Sequence, residues 1–327
     1  MPQLGATPLR ELGLTIAGTS LEPILAAFEQ EIRAAGLRRL HPRYYLSTEW
    51  GVPYPSISIG IPFYLARPDL RAFHLEKTGL VEGQDADDIL RYLRHELGHV
   101  VNYAYRLHDE PDWVETFGTM LQPYVDEYSP QPFSRRHVQH LPGWYAQMHP
   151  DEDWAETFAV WMTPGGRWRE EYATWPEALA KLEYCDRTIR RVADLEPLVT
   201  ATDADDDVSD VELTLDELHA DEAADQDADG AEDPEITPQG IDGALRAIFT
   251  GGDRPAGSLL SRLEKEIAVS VYRWTGHDPD RTRALVRRLA RRTETLSYPP
   301  EEEQAVAVRL TVLITTLAMT HQQRRRT

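Results

Sequence analysis

Two histidines one helical turn apart are the residues of this 327-residue chain that are best suited to chemistry. His95 and His99 lie in the segment LRHELGHVV, and side chains at positions i and i+4 of a helix project from the same face. Two imidazole nitrogens placed in this way can bind one zinc ion at ~2.0–2.1 Å. Glu96 is too close in sequence to His95 to bind the same ion easily, but its carboxylate can reach a metal-bound water as a general base.

The helix that must position these side chains is predicted over Asp85–Leu107, and apolar residues surround it almost completely. They are Ile89, Leu90, Leu93, Leu97, Val100, Val101 and Ala104. A helix with this pattern is buried, so its two histidines and its glutamate need partners that offset the loss of water. The pattern favours a metal site over the alternative, a hydrogen-bonded His/Glu cluster that binds no metal.

A catalytic zinc site needs a third protein ligand and one open position for water. The single cysteine, Cys185, rules out a site built on cysteines, so the third ligand must be His, Asp or Glu. The segment HPDEDWAETFAVW begins a second predicted helix, over Pro150–Met162. Glu152 is the predicted ligand on this helix, and His149 and Asp153 are the alternatives.

Glu156 has a different predicted role. It lies four residues after Glu152 on the same helix face, beyond the first turn in which carboxylates act as caps. Its carboxylate is predicted to accept the outer N–H of a ligand histidine and so to fix the tautomer of that imidazole.

The two motifs together resemble the gluzincin metallopeptidases, in which the HExxH helix is followed by a second helix that carries a glutamate ligand. The segment HPDEDWAETFAVW is similar in particular to a bacterial family of zinc-binding metallopeptidases. The resemblance covers roughly residues 40–195. It implies that His95, His99 and Glu152 bind Zn²⁺ and that Glu96 activates water.

A catalytic tyrosine is also implied by the resemblance. In related gluzincins a tyrosine shortly before the glutamate ligand stabilises the oxyanion. Tyr145, seven residues before Glu152, is the candidate in this chain. The alternative for Tyr145 is an ordinary half-buried aromatic residue.

The order of the predicted elements indicates an α+β fold. Strand-like segments at Arg43–Thr48 and Ser56–Tyr64 come early in the chain, and helices dominate after them. Together with this order, the resemblance implies a zincin-like metallopeptidase domain over residues 1–200, with a small mixed sheet and a buried HExxH helix. The strand Ser56–Ile61 is the predicted edge along which a peptide would extend.

The rest of the chain divides into two further parts. Residues 203–235 contain 16 Asp and Glu and no Lys or Arg, so an acidic disordered linker is predicted over residues 201–238. The helical patterns over residues 239–327 predict a small all-α module of unknown role. Its arginines over Arg281–Arg292 are expected to solvate one helix face or to contact the acidic linker; contact with nucleic acid or an acidic partner is the alternative.

Charge and composition argue against several classes of protein. The net charge of −21 resides mostly in the acidic stretch and argues against nucleic acid as a partner. The N-terminus lacks the basic and apolar regions of a secretory signal. The apolar stretch Ala305–Met319 contains Arg309 and is too short to span a bilayer. The expectation is a soluble, cytoplasmic protein that does not bind membranes.

Two functions are consistent with the sequence. The favoured one is zinc-dependent hydrolysis of peptide bonds, with a peptide or a protein as the substrate. The alternative is a zinc-bound regulatory or sensor module that binds a protein partner through its helical tail.

Overall fold

The computed structural model describes residues 2–124, 128, 130–220 and 241–324. These residues form two compact units: an N-terminal unit that extends to Leu218, and a C-terminal unit that consists mainly of the residues after it. The N-terminal unit is mostly helical and contains a small sheet, so the α+β class predicted from the sequence is confirmed at this coarse level.

Among the described residues of the N-terminal unit, eight α-helices precede residue 200. They are α1 (Pro2–Gly5), α2 (Leu21–Ala34), α3 (Pro68–Thr78), α4 (Ala86–Tyr105), α5 (Pro111–Phe117), α6 (Pro150–Met162), α7 (Trp168–Glu171) and α8 (Pro176–Val192). Helix α4 is the predicted HExxH helix. Its first turn is capped by the Asp85 carboxylate, which accepts the backbone N–H of Asp88 at 2.9 Å.

Two parallel strands, β1 (Arg43–Ser47) and β2 (Ser58–Pro62), form the sheet of this unit. Strand β2 is buried along its whole length, and its Gly60 N–H donates to the carbonyl oxygen of Gly51 at 2.8 Å. Both sides of β2 are therefore occupied. The prediction that Ser56–Ile61 is an edge open to a peptide is wrong, because the Gly60 N–H already bonds to Gly51 of the same chain.

Residues 203–218, which were expected to begin a disordered linker, are instead packed on the N-terminal unit. The backbone N–H of Val208 donates to the carbonyl oxygen of Leu46 at 3.0 Å. The carbonyl oxygen of Leu213 accepts the backbone N–H of Leu9 at 3.0 Å. Val208 and Leu215 are only 5% and 0% exposed. The first unit thus extends past the predicted boundary at residue 200. The remainder of the expected linker, residues 221–238, lies outside the described residues.

The average composition of this acidic stretch hides a short pattern of apolar residues that can pack on a core. Five larger aliphatic residues recur within this part of the acidic stretch, and they are Val208, Val211, Leu213, Leu215 and Leu218. The carboxylates around them find basic partners elsewhere in the unit. Lys77 pairs with Asp216 at 3.1 Å, and Arg43 lies 3.7 Å from Asp207.

Four α-helices lie in the part of the C-terminal unit that the structure describes. They are α9 (Ile241–Ile248), α10 (Ala256–Thr275), α11 (Pro279–Arg292) and α12 (Glu303–Arg324), and a two-residue antiparallel pair, β3 (Arg254–Pro255) and β4 (Ser297–Tyr298), accompanies them. The arginines of α11 find acidic partners within this unit. Arg283 and Arg287 contact Glu264, and Arg292 contacts Asp242.

One helical stretch of the C-terminal unit, Pro300–Gln322, is long and apolar enough by length and composition to cross a membrane. The expectation from the sequence rested only on Ala305–Met319, which is too short to span a bilayer. The helical stretch extends beyond that segment at both ends and is 23 residues long. One third of its most apolar window is buried within the structure, and Val306 and Leu310 are completely buried in the core of the unit. A single helix of this kind is weak evidence for a membrane span.

Candidate metal centre

Helices α4 and α6 pack so closely that their backbones nearly touch, and Gly98 makes this contact possible. A Cβ atom at position 98 would lie 2.7 Å from the Cα atom of Ala155. Trp154 supports the same contact, since its indole N–H donates to the carbonyl oxygen of Gly98 at 2.8 Å. The glycine inside HELGH therefore allows the ligand-bearing faces of the two helices to meet.

The three predicted ligands meet between these two helices. The Nε2 atoms of His95 and His99 are 3.2 Å apart, and they lie 3.1 Å and 3.3 Å from Oε2 of Glu152. A tetrahedral zinc ion ~2.0–2.1 Å from its ligands requires spacings of about 3.3–3.4 Å between the ligand atoms. All three side chains are buried, so the group can hold a metal ion away from bulk water.

The outer nitrogen of His95 is held by Glu156, the residue to which the sequence assigned this role. Nδ1 of His95 lies 3.0 Å from Oε1 of Glu156. The same carboxylate accepts the backbone N–H groups of His140 and Leu141 at 2.9–3.1 Å. Glu156 therefore orients one ligand and also attaches the loop that precedes α6 to the site.

Asp151 does the same for His99, and sequence reasoning missed it. Its Oδ2 lies 2.9 Å from Nδ1 of His99, while its two oxygens also accept hydrogen bonds from Asn102 and Tyr103 at 2.7 Å and 2.5 Å. Asp151 lies in the first turn of α6, where a carboxylate is already explained by its favourable interaction with the helix N-terminus. Asn102 and Tyr103, one helical turn beyond His99, were the signal that a carboxylate would be needed there.

These outer hydrogen bonds decide what the inner atoms can do. A carboxylate only accepts hydrogen bonds, so Nδ1 of His95 and Nδ1 of His99 both donate. In the neutral imidazoles the two Nε2 lone pairs then converge on the Oε2 atom of Glu152. Three lone pairs that face one another repel unless a cation lies among them, and the geometry suits a metal ion.

The electrostatics agree with a site built for positive charge. Burial alone would lower the pKa of His95, but hydrogen bonds to Glu152 and Glu156 raise it to about 9. Burial likewise opposes the protonated form of His99, yet the charges of Asp151 and Glu152 raise its pKa well above the usual value. The carboxylates thus stabilise whatever cation occupies the site, a proton or a metal ion.

Glu152 uses its second oxygen for a contact that the sequence did not predict. Its Oε1 accepts the phenolic hydrogen of Tyr124 at 3.1 Å. Burial would raise the pKa of Glu152, but His99 and His95 hold it well below the usual range. Glu152 is therefore a carboxylate with one oxygen toward the histidines and the other toward Tyr124.

Glu96 is buried next to the ligands and is not one of the group. Burial raises its pKa, and the nearby charges of His95 and His99 oppose the rise. Two further carboxylates, Glu49 and Glu82, lie near Glu96. Burial and the charges of Glu96 and Glu49 raise the pKa of Glu82 to about 7. The side of the site that contains Glu96 is therefore acidic.

Tyr145 lies beside His95, with 5.6 Å between the ring centroids. The two residues before it, Gly143 and Trp144, have φ angles of 82° and 65°. Trp144 is buried against Phe133 at a centroid distance of 5.0 Å, and this packing supports a conformation that costs energy for a non-glycine residue. The strained turn therefore places the ring of Tyr145 next to the ligand His95.

Neither alternative third ligand belongs to the group of three. His149 caps α6 by accepting the N–H of Asp151 at 3.1 Å, and its Nε2 donates to the carbonyl oxygen of Gln122 at 2.8 Å. Asp153 points to the far side of α6, where it forms a buried ion pair with Lys181 at 2.6 Å. Both side chains support α6 rather than approach the metal position.

The comparisons with known proteins agree with the geometry. Residues 80–166 match the model of a family described as "Putative zinc-binding metallo-peptidase". The match contains both α4 and α6, and it is narrower than the predicted range of 40–195. Neither a search of curated proteins nor a search of solved structures found a match. The resemblance predicted from the two motifs is confirmed at the level of this family, and zinc is the cofactor that the family and the buried His-His-Glu group indicate.

Proposed function

We propose that this protein is a zinc metallopeptidase of the gluzincin type that hydrolyses peptide bonds in peptide or protein substrates. The observation that carries the proposal is the convergence of Nε2 of His95, Nε2 of His99 and Oε2 of Glu152 within 3.1–3.3 Å of one another. Three protein ligands in this arrangement leave a tetrahedral ion one position for water, as a hydrolytic site requires.

The chemistry divides between the metal and the chain. A zinc ion held by His95, His99 and Glu152 would lower the pKa of a water at its open position and polarise the substrate carbonyl. Glu96 takes the proton from the attacking water as the oxygen bonds to the carbonyl carbon. Since burial raises the pKa of Glu96, its carboxyl holds this proton and then passes it to the leaving amine.

Tyr145 stabilises the negative charge that develops on the carbonyl oxygen. Its hydroxyl donates a hydrogen bond to the oxyanion when the carbonyl carbon becomes tetrahedral. The support for this role is its position beside His95 at the end of a strained turn. Glu156 links the two parts, because it binds His95 and the loop that leads to Tyr145.

The substrate is proposed to extend along residues 50–54 rather than along β2. This segment packs along α4. The ring of Trp50 stacks on that of Tyr92 with 5.3 Å between the centroids, and the ring of Tyr54 meets that of Tyr103 edge-on at 5.0 Å. Its Gly51 carbonyl is already bonded to β2, so the segment forms the outer border of the sheet. An extended peptide can add to a border of this kind through backbone hydrogen bonds.

The experiment that tests the proposed function compares the zinc-loaded full-length protein with Glu96→Gln, using a reduced and alkylated protein as the unfolded substrate. Glu96→Gln should keep its zinc and lose turnover by ~10²–10⁴-fold, the usual contribution of a general base. Glu115→Gln, at an exposed position on α5, is the matched control and should cleave normally.

Two results would contradict the proposal. Cleavage that survives Glu96→Gln undiminished would mean that the activity comes from another site or from a contaminant. A wild-type protein that binds zinc in a 1:1 ratio but cleaves nothing would favour the regulatory or sensor alternative. Protein partners of the C-terminal unit would then be the next question.

A further inference from the structure

We infer that Tyr124 is a positioning residue for Glu152: it keeps one carboxylate oxygen occupied so that the other alone binds zinc. The inference rests on the zinc site of the proposed function and adds a residue outside both motifs. It assigns to Tyr124 control over how tightly the metal is held and over how many positions Glu152 takes around it.

The two oxygens of Glu152 have different partners. Oε2 faces the histidines, 3.1 Å from Nε2 of His95 and 3.3 Å from Nε2 of His99. Oε1 accepts the hydroxyl hydrogen of Tyr124 at 3.1 Å. A hydrogen bond to a carboxylate is about twice as strong as one between neutral groups. To bind zinc through both oxygens, Glu152 would have to break this bond.

The number of oxygens that bind matters for the reaction. A hydrolytic zinc site has three protein ligand atoms and keeps the fourth position for water. If both oxygens of Glu152 bound the ion, the second would compete with water for that position. Tyr124 therefore preserves the open position as well as the orientation of the ligand.

His149 holds the ring of Tyr124 in place. The two rings stack with centroids 3.9 Å apart and an angle of 13° between their planes. His149 is itself fixed at both ends, because Nδ1 accepts the N–H of Asp151 and Nε2 donates to the carbonyl oxygen of Gln122. A backbone N–H can only donate and a carbonyl can only accept, so this tautomer is the one that fits.

The hydroxyl of Tyr124 is suited to act as a permanent donor. A phenol is protonated at neutral pH, so the hydroxyl of Tyr124 has a hydrogen to donate to Oε1 of Glu152. The residue as a whole is 49% exposed. Tyr124 therefore reaches the buried ligand from the surface, as a support that belongs to neither α4 nor α6.

The test measures the zinc affinity of full-length Tyr124→Phe by competition with a chromophoric chelator. Loss of the hydroxyl should weaken zinc binding by ~10–100-fold, the range for outer partners of metal ligands. The matched control is Tyr44→Phe, which removes a similar bond, from the Tyr44 hydroxyl to Oε1 of Glu29 at 2.8 Å, away from the metal site. Tyr44→Phe should bind zinc like the wild type.

A second readout follows the geometry instead of the affinity. Replacing zinc by Co²⁺ gives a visible absorption spectrum that is stronger for four ligands than for five. Tyr124→Phe should show weaker absorption than the wild type, because its Glu152 is free to bind through both oxygens. Tyr44→Phe should leave the spectrum unchanged.

Unchanged zinc affinity and an unchanged Co²⁺ spectrum in Tyr124→Phe would overturn the inference. So would a variant that loses turnover with normal zinc affinity and spectrum, since Tyr124 would then act on the substrate and not through Glu152. Failure of the proposed function is recognised separately, because in that case the wild-type protein itself would bind no zinc or cleave no substrate.

Discussion

Asp151 lies 2.9 Å from the outer nitrogen of His99, and it immediately precedes the ligand Glu152 in sequence. Five residues further on, Glu156 makes the equivalent contact with His95 at 3.0 Å. Helix α6 therefore supplies one metal ligand and the carboxylates that orient the other two. A carboxylate behind each imidazole fixes its tautomer and increases its basicity toward a metal.

The first prediction concerns Asp151→Asn. The amide is less basic than the carboxylate and carries no charge, so it supports His99 less well and cannot accept from Asn102 and Tyr103 as strongly. We expect zinc affinity to fall by ~10–100-fold, measured by chelator competition. Asp69→Asn on α3 is the control and should bind zinc normally. Equal affinities in both variants would mean that Asp151 serves the helix and not the metal.

The second prediction concerns the close contact between α4 and α6. Gly98→Ala places a methyl group 2.7 Å from the Cα atom of Ala155, so the helices must separate. We expect a loss of ~1–3 kcal/mol in the free energy of unfolding, measured with denaturant, together with weaker zinc binding.

The control for this prediction is Gly243→Ala in α9, where an added methyl group meets nothing within 4 Å. Since alanine is the better helix former, that change should be neutral or should stabilise by up to about 1 kcal/mol. A Gly98→Ala variant as stable as this control would show that the contact is not tight in solution.

The central part of the site could be predicted because local periodicity determines it. The spacing of His95 and His99 needs nothing but a helix, and Glu152 and Glu156 share a face for the same reason. Asp151 was harder, because an acidic residue in the first turn of a helix already has an explanation as a cap. Its role depends on α4 lying opposite, which sequence spacing does not reveal.

Tyr124 and the acidic segment could not be predicted for two different reasons. Tyr124 reaches Glu152 from a loop outside both motifs, so only the folded chain brings the two residues together. Residues 203–218 have the overall composition of a disordered segment. Two of their aliphatic residues, Val208 and Leu215, are nevertheless buried, which an average over composition cannot detect.

The third prediction separates catalysis from metal binding at Tyr145. Tyr145→Phe removes one hydroxyl and keeps the ring that lies beside His95. If the hydroxyl donates to the oxyanion, kcat should fall by ~10²-fold while KM and zinc content change little. Steady-state kinetics with a peptide substrate measure this. An unchanged kcat would assign Tyr145 to packing alone.

The fourth prediction uses the raised pKa of Glu82. Burial raises it from 4.5 to about 7 in the folded protein, so the folded state holds a proton that the unfolded chain has already lost. Stability of the wild type should therefore fall as the pH rises from about 5 to 8. Glu82→Gln keeps a neutral side chain at every pH and removes this loss.

We expect the stability of Glu82→Gln relative to the wild type to improve by about 1–3 kcal/mol between pH 5 and pH 8. Urea denaturation at the two pH values measures it, with the exposed Glu115→Gln as the control. A difference between variant and wild type that stays constant with pH would mean that Glu82 ionises normally.

The fifth prediction tests whether residues 203–218 belong to the N-terminal unit. Leu215 is completely buried in the core of that unit, whereas Leu213, two residues earlier, is 42% exposed. Leu215→Ala in the full-length chain leaves a cavity and should cost ~2–5 kcal/mol of unfolding free energy. Leu213→Ala removes a similar side chain from the surface and should change stability by about 0.5 kcal/mol or less. The difference in unfolding free energy between the two variants, measured with denaturant, reports how tightly the acidic segment packs. If neither variant changes stability, the segment does not pack on the unit in solution. The disordered linker predicted from composition would then begin at the first acidic residues of the segment.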